Sequence, residues 1–95
     1  MKIEFSPAVE GDLEAVAGYI ARDNPRRALT FVFEIYDEIK AIGRHPLHYQ
    51  LRPEIGVDAR LARVGHYIIL FAVSNNTVRI ERVVHGARDL SSLRQ

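Results

Sequence analysis

The sequence contains no cysteine, and only two of its 13 basic residues, Lys2 and Lys40, are lysines. Without cysteine the chain forms no disulfides, thiolate metal sites or cysteine nucleophiles. No apolar run approaches the roughly 20 residues that a membrane helix requires, and residues 1–12 turn acidic where a signal peptide would have its apolar centre. We therefore expect a cytoplasmic protein that makes no contact with membranes.

The composition is that of one compact domain. Of the 95 residues, 47% are hydrophobic and 26% charged, which are ordinary globular values. This length predicts a single domain, residues 1–95, with a modest core that a partner can complete. Residues 1–55 hold seven bases and nine acids, a net −2, whereas residues 56–95 hold six bases and three acids, a net +3. This excess is too mild to indicate nucleic-acid binding by itself.

The N-terminal half predicts a strand followed by two helices. The segment KIEF alternates apolar and polar residues, as a short strand does. The apolar stripes are Val9, Leu13, Val16 and Ile20 in the first helix and Ala28, Val32, Ile35, Ile39 and Ile42 in the second. Ser6-Pro7 is a helix start with serine as the N-cap, and Asn24-Pro25 repeats that signal directly after the first helix. The two helices are therefore expected to form a tight hairpin, and Gly43 to end the second one.

The second predicted helix has more apolar side chains than one buried face requires. Leu29, Phe31, Phe33 and Tyr36 widen its apolar surface, which predicts that the helix is covered on more than one side. The following segment, RHPLHYQLRPEIG at residues 44–56, is aperiodic and contains two prolines. It predicts a loop between the helices and the next elements.

From Asp58 onward the hydrophobic period is two, which predicts three antiparallel strands. The stretch HYIILFAV is apolar on both parities, so its strand requires cover on both faces. SNNT predicts a hairpin turn into the strand VRIERVVH. In that last strand the alternation places Arg82 on the inner face, unless a bulge near Glu81 resets it. The segment ARDLSSLR predicts a short helical or extended tail.

The predicted order is strand, helix, helix and three strands, βααβββ. It describes an α+β domain in which the helix hairpin packs on one face of a small antiparallel sheet. No predicted element covers the other face of that sheet. Tyr67 or Ile68 is then expected to lie in an exposed apolar patch, which is a mark of an interaction site.

The segment IERVVHGARDL, residues 80–90, contains the residue types that cleave RNA. Cleavage at a ribose requires a base, an acid and cations for the charge that develops at phosphorus. The candidates are His85 as acid or base and Arg60, Arg63, Arg79, Arg82 and Arg88 as cations. A histidine at a strand end also commonly satisfies local backbone groups, and Asp89 fits a cap of the tail. The residue types alone leave both interpretations open.

Other candidate chemistry is sparse. His45 and His48 straddle Pro46, but neither cysteine nor a cluster of carboxylates accompanies them, so we predict no metal site. A Gly-rich phosphate loop and a G-x-S-x-G nucleophile motif are both absent from the sequence. We expect no cofactor.

Several segments together resemble the ParE branch of the RelE/ParE toxin superfamily. They are YIARDNPRRA between the helices, HP after the second helix, R…YIILF in the sheet and, above all, RVVHGARDL at the end of a βααβββ domain. The resemblance covers essentially the full chain. It implies a bacterial type II toxin that poisons DNA gyrase without catalysis of its own and is neutralised by a ParD-like antitoxin. The complex is expected to be a heterodimer, a heterotetramer or larger, and to contact DNA only through the antitoxin.

The sequence departs from the related RelE toxins, which cut mRNA on the ribosome. Those nucleases resemble this chain in fold but have lysines in a basic cluster and a catalytic tyrosine or histidine near the C-terminus. Here no lysine follows Arg44, and Leu90 stands near the position of the terminal tyrosine. These departures favour the gyrase inhibitor. A nuclease that uses His85, Arg63 and Arg82 is one alternative, and a non-catalytic co-repressor is another.

The resemblance also implies two functional surfaces. The surface that faces the target is expected to contain Arg82, His85, Arg88 and Asp89. The antitoxin is expected to contact Phe31, Ile35, Tyr36, Arg60, Leu61 and Arg63. Its amphipathic helix would pack on the helix hairpin, and its last segment would add to the sheet beside residues 60–64.

Overall fold

A computed structural model describes residues 1–88 and 90–93 of the chain. The elements are β1 (Lys2–Phe5), α1 (Ala8–Ala21), α2 (Pro25–Arg44), β2 (Ala59–Val64), β3 (Tyr67–Ser74) and β4 (Thr77–His85). Short 3₁₀ turns follow at Pro46–His48 and Leu90–Ser92. The predicted α+β class and the βααβββ order are confirmed. Within the described residues, neither helix combines the length and the apolarity needed to cross a membrane.

The sheet has the order β1-β4-β3-β2 and is mixed. Strands β2, β3 and β4 pair antiparallel, as predicted, while β1 pairs with β4 in parallel. The first strand therefore lies beside the last one, and β2 is an edge strand. Asn75 and Asn76 both have positive φ, 51° and 60°, which is the backbone of a two-residue hairpin turn between β3 and β4.

The two predicted helix starts have different outcomes. Asn24 caps α2 as predicted, because its side-chain oxygen accepts the backbone N–H of Arg27 at 3.1 Å. The prediction that Ser6 caps α1 is wrong. The Ser6 hydroxyl donates instead to the carbonyl of Glu81 at 2.6 Å, and the cap of α1 is Pro7, without a side-chain hydrogen bond. The serine therefore ties the chain entering α1 to β4.

Gly43 does not end the second helix, which continues to Arg44. A Cβ atom added to Gly43 would lie only 2.7 Å from Cδ1 of Ile3. The residue is therefore a point of close approach between α2 and β1. Its carbonyl also accepts a hydrogen bond from the N-terminal amino group of Met1 at 3.2 Å.

The larger core lies between the helices and the sheet. Its buried members on α2 are Phe31, Ile35, Ile39 and Ile42, and those on the sheet are Ala62, Ile69, Phe71, Val78, Ile80 and Val83. A bulge at Glu81 explains this pattern: Phe71 pairs with Ile80 and Leu70 with Arg82, so Glu81 has no partner position in β3. The bulge that the sequence allowed is confirmed, and it brings Ile80 and Val83 to the same face.

The expectation that the second sheet face is uncovered is wrong. Ile68 and Leu70 are buried there, at 1% and 0% exposure, in a second cluster with Ile55 from the loop and Leu93 from the C-terminal segment. The cover consists of irregular chain and one short 3₁₀ turn. Such segments have no periodicity, and for this reason the sequence pattern did not predict them.

Candidate functional site

The end of β4 carries an exposed histidine in an aromatic setting. The ring of His85 meets that of Tyr67 edge to face at a centroid distance of 5.3 Å, and lies 6.2 Å from the nearly parallel ring of His66. Nδ1 of His85 accepts the backbone N–H of Ala87 at 3.1 Å. In the neutral ring the proton is therefore on Nε2, which is left as a donor. Sequence reasoning missed His66, whose only signal was its place after Gly65 in the β2–β3 turn.

Tyr67 and His85 form a shared wall between two depressions. The first, which we call the junction pocket, has a volume of about 490 Å³ and lies between the α1–α2 junction and the β2–β3 turn. Its walls include Tyr19, Arg27 and Phe31 from the helices and His66 from the turn. The second, of about 240 Å³, also contains Asp12 and Arg88. Burial raises the pKa of Tyr67 above its ordinary value, with a smaller contribution from nearby Tyr19.

Arg82 is held by an acid of α1. Its Nε and one terminal nitrogen donate to the carboxylate of Asp12 at 2.8 and 2.9 Å, and the same carboxylate accepts the backbone N–H of Val83 at 2.9 Å. The hydrogen bond to Asp12 and its negative charge raise the pKa of Arg82 further. The side chain is only 21% exposed. Arg82 therefore joins β4 to α1, and its place on the target-facing surface stays a prediction.

Arg63 lies on the face of the sheet opposite His85. It pairs with Ile68 in the register, and a Cβ atom added to Gly86 would contact both its guanidinium, at 3.1 Å, and Ile68. His85 instead pairs with Tyr67, whose side chain packs against the helix-side core. Of the three residues of the nuclease alternative, Arg82 is bound to Asp12, while Arg63 starts on the sheet face opposite His85 and its guanidinium lies beside Gly86.

Two further residues were expected to face the target. Arg88 is exposed and lines the smaller depression together with His85. Asp89 lies outside the described residues. His85 and Arg88 are therefore the pair from that expected surface that the structure brings together.

The residues expected to contact an antitoxin do not form one surface. Phe31 and Ile35 belong to the core, with 5% and 0% of their surface exposed, so the expectation that they are surface anchors is wrong. Their positions on α2 face the sheet. Tyr36 is 42% exposed and is the one of these three aromatic and aliphatic positions that a partner can reach.

Tyr36 borders an open groove that the sequence did not predict. The groove has a volume of about 500 Å³, and its walls include Phe5, Val9 and Leu13, with Glu10 and Glu14 at the rim. Leu29 and Phe33 are exposed on the same helix as Tyr36, at 60% and 61%. Spacings of four and three residues place these side chains along one stripe of α2. This stripe and the groove are the apolar surface that the broad helix pattern indicated.

The edge strand β2 contains the other residues expected at the antitoxin. The Arg60 guanidinium donates to the carbonyl of Tyr49, and Leu51 forms a β-bridge to Arg60. Leu61 packs with the second cluster and Arg63 is exposed. Because β3 occupies the inner side of β2, the bridge to Leu51 covers the start of its outer edge. The stretch beyond Arg60 remains the accessible part.

No group of three or more potential metal ligands occurs among the described residues. His45 and His48, the pair noted in the loop, stack on each other with ring centroids 4.8 Å apart and nearly parallel planes. The described part of the chain thus offers stacking, hydrogen bonding and apolar surface, with depressions around His85 and a groove beside Tyr36.

The chain matches the family model of the ParE toxin of the type II toxin–antitoxin system, parDE, over residues 3–90. It therefore belongs to the ParE toxin family, and the resemblance found in the sequence is confirmed. Among solved structures, a chain of "Chromosomal ParDE TA system from P. aeruginosa" has a TM-score of 0.76 at 20% identity, covering 90% of this chain and 95% of that one. At this identity the likeness shows the shared fold. No curated protein sequence matches the chain.

Proposed function

We infer that this protein is the toxin of a type II toxin–antitoxin pair, that it acts on DNA gyrase in the cytoplasm, and that a ParD-like antitoxin neutralises it. The observation that carries the proposal is family membership over residues 3–90. ParE-like toxins resemble RelE in fold but are known for poisoning gyrase, which makes gyrase the first target to test.

The geometry of the arginines supports an inhibitor over a nuclease. General acid–base cleavage of RNA requires its acid, base and cations within hydrogen-bond reach of one phosphate. Arg82 is engaged by Asp12, and Arg63 leaves β2 on the sheet face opposite His85. A nuclease site built from these three residues would require the Asp12–Arg82 ion pair to break.

The apolar surface of the helices supports an antitoxin partner. Phe33 and Tyr36 are large and exposed, and Tyr36 lines the groove that includes Phe5. Exposed aromatic side chains beside a groove are typical anchors for an amphipathic helix. We place the antitoxin helix on this stripe and its final segment along the free part of the β2 edge, where basic Arg63 would meet an acidic residue.

A supercoiling assay tests the target. Purified toxin added to gyrase, ATP and relaxed plasmid is expected to reduce supercoiling and to accumulate cleaved DNA, and equimolar antitoxin is expected to reverse both effects. Full supercoiling activity at a large molar excess of a folded toxin would reject gyrase as the target. A toxin that binds antitoxin and its operator but spares gyrase and ribosomes would be the co-repressor.

One observation favours a second candidate, the ribosome-dependent nuclease. His85 is exposed beside Tyr67, with Arg88 in the same depression. Primer extension on mRNA from translating ribosomes tests it. If the protein inhibits gyrase only, we expect no cleavage of the mRNA. Codon-specific cleavage that disappears in His85→Ala would establish the ribosome-dependent nuclease.

A further inference from the structure

The junction pocket combines aromatic walls with hydrogen-bond donors. Phe31 and Tyr67 meet at a centroid distance of 5.5 Å and form its floor, while Tyr19 is 65% exposed at its side. Its volume of about 490 Å³ falls within the range of small-molecule sites, roughly 300–1,000 Å³. A flat ring bound in this space would contact the aromatic side chains of Tyr19, Phe31 and Tyr67. Aromatic rings favour such packing.

The polar groups of the pocket are suited to an anion. None of the described residues that line it is acidic. His66 and His85 stand 6.2 Å apart at the rim, and Nε2 of His85 is a donor because its Nδ1 accepts from Ala87. The phenol of Tyr67 is a further donor, and burial raises its pKa above the ordinary value.

Arg27 adds hydrogen-bond donors to the same pocket, and its charge is balanced by Glu34. Its guanidinium lies over the Phe31 ring, 5.2 Å from the centroid, and is held there by Glu34 and Thr30. These contacts engage three of the five N–H groups that an arginine presents. Glu34 thus positions the guanidinium while leaving two donors for a ligand.

We propose that the junction pocket binds a nucleoside phosphate, with the base stacked against Tyr19 and Tyr67 and the phosphate at His66, His85 and Arg27. A purely apolar ligand would bury these donors without partners, which is costly. A simple phosphate would leave the aromatic walls unused. A base joined to a phosphate satisfies both features, and the same unit occurs in free nucleotides and at the end of a single nucleic-acid strand.

This site is separate from the target and the antitoxin in the proposed function. It requires neither gyrase inhibition nor cleavage, because stacking and hydrogen bonding to a phosphate involve no covalent step. The groove beside Tyr36, which we assign to the antitoxin, is lined by a different set of residues.

Isothermal titration of the purified 95-residue chain tests the proposal, with adenosine monophosphate, adenosine and inorganic phosphate as separate ligands. The monophosphate is expected to bind more tightly than either of its parts. Tyr19→Ala and His66→Ala, two exposed side chains whose loss leaves the core intact, are each expected to weaken its binding about tenfold, the effect of losing one stacking or hydrogen-bonding group.

Tyr36→Ala and His48→Ala are the matched controls, since they remove an exposed tyrosine and an exposed histidine outside the pocket. Both are expected to bind the monophosphate like the parent chain. The proposal is overturned if the monophosphate does not bind at millimolar concentration, if phosphate alone binds equally well, or if the control variants weaken binding as much as the pocket variants do.

A 5′-phosphorylated single-stranded oligonucleotide distinguishes the two sources of the ligand. Tighter binding of the oligonucleotide than of the monophosphate, reversed by Tyr19→Ala, identifies a strand end. Equal binding of the two identifies the free nucleotide. Both outcomes support the proposal that the junction pocket binds a nucleoside phosphate.

Discussion

Asp12 of α1 and Arg82 of β4, seventy residues apart in the chain, form a two-point ion pair at 2.8 and 2.9 Å. The same carboxylate accepts the N–H of Val83. β1 pairs with β4 only as far as Ile80, so beyond that residue no strand among the described residues neighbours this edge of β4. Asp12 accepts the Val83 N–H that a neighbouring strand would otherwise bind. In this way α1 covers the edge of β4 where β1 ends.

Replacing Asp12 by alanine is expected to lower the free energy of unfolding by about 2 kcal/mol, because it leaves the Arg82 cation and the Val83 N–H without an acceptor. Urea unfolding measures the change. The control is Glu54→Ala, which removes the exposed ion pair with Arg52 and is expected to cost about 0.5 kcal/mol or less. Equal losses in the two variants would mean that Asp12 is only a surface charge.

Truncation of Phe33 or Tyr36 to alanine is expected to weaken antitoxin binding by about thirtyfold, the loss of one anchor of about 2 kcal/mol. Their melting temperatures should stay near that of the parent chain, because both side chains are exposed. Titration with the antitoxin encoded beside the toxin measures the affinity. Val57→Ala, at a loop position that is 90% exposed, is the control. Unchanged affinity in both helix variants would place the antitoxin elsewhere.

Two helical glycines are expected to respond oppositely to alanine. A Cβ atom at Gly18 has open space around it, so Gly18→Ala should stabilise the protein by about 0.5–1 kcal/mol through helix propensity. Gly43→Ala should destabilise it by about 1 kcal/mol, because the new methyl group forces Ile3 out of its rotamer. Thermal unfolding measures both changes.

The double variant Ile3→Val/Gly43→Ala tests whether contact with Ile3 causes this destabilisation. Ile3→Val removes Cδ1, the atom that lies 2.7 Å from the position of the added Cβ. In that background Gly43→Ala should become neutral or stabilising. A penalty that persists at full size would exclude the contact with Cδ1 of Ile3 as its origin.

Tyr49 is expected to make stability depend on alkaline pH. Burial, aided by its hydrogen bond to Glu38 at 2.8 Å, raises the pKa of Tyr49 to about 12. A raised folded-state pKa gives stability that is complete below the unfolded value, about 10, and is lost as the pH rises through the folded value. The free energy of unfolding, measured from about pH 9 to about pH 12, should therefore fall more steeply in the parent than in Tyr49→Phe. Parallel curves would contradict this.

The sequence by itself predicted those features that depend on neighbouring residues. Asn24-Pro25 predicted the start of α2 because the cap and the helical N–H it satisfies are three residues apart. The two apolar parities of β3 predicted a strand buried on both faces, and burial of Ile68 and Ile69 agrees with this. The RVVHGARDL ending indicated the toxin family. Each of these signals is local, since helix and strand periods repeat within a few residues.

Only the tertiary structure decided which of the exposed candidates lie together. The resemblance assigned Arg82 to the target-facing surface, but the structure pairs its side chain with Asp12 on another element. Local sequence spacing cannot predict a pair of residues that lie on separate elements. Likewise Phe31 and Phe33 are two residues apart on α2, but the contact of α2 with the sheet buries the first and leaves the second exposed. The junction pocket arises where the helix junction meets the β2–β3 turn. Long-range packing determines these juxtapositions, because they depend on how whole elements are oriented against one another.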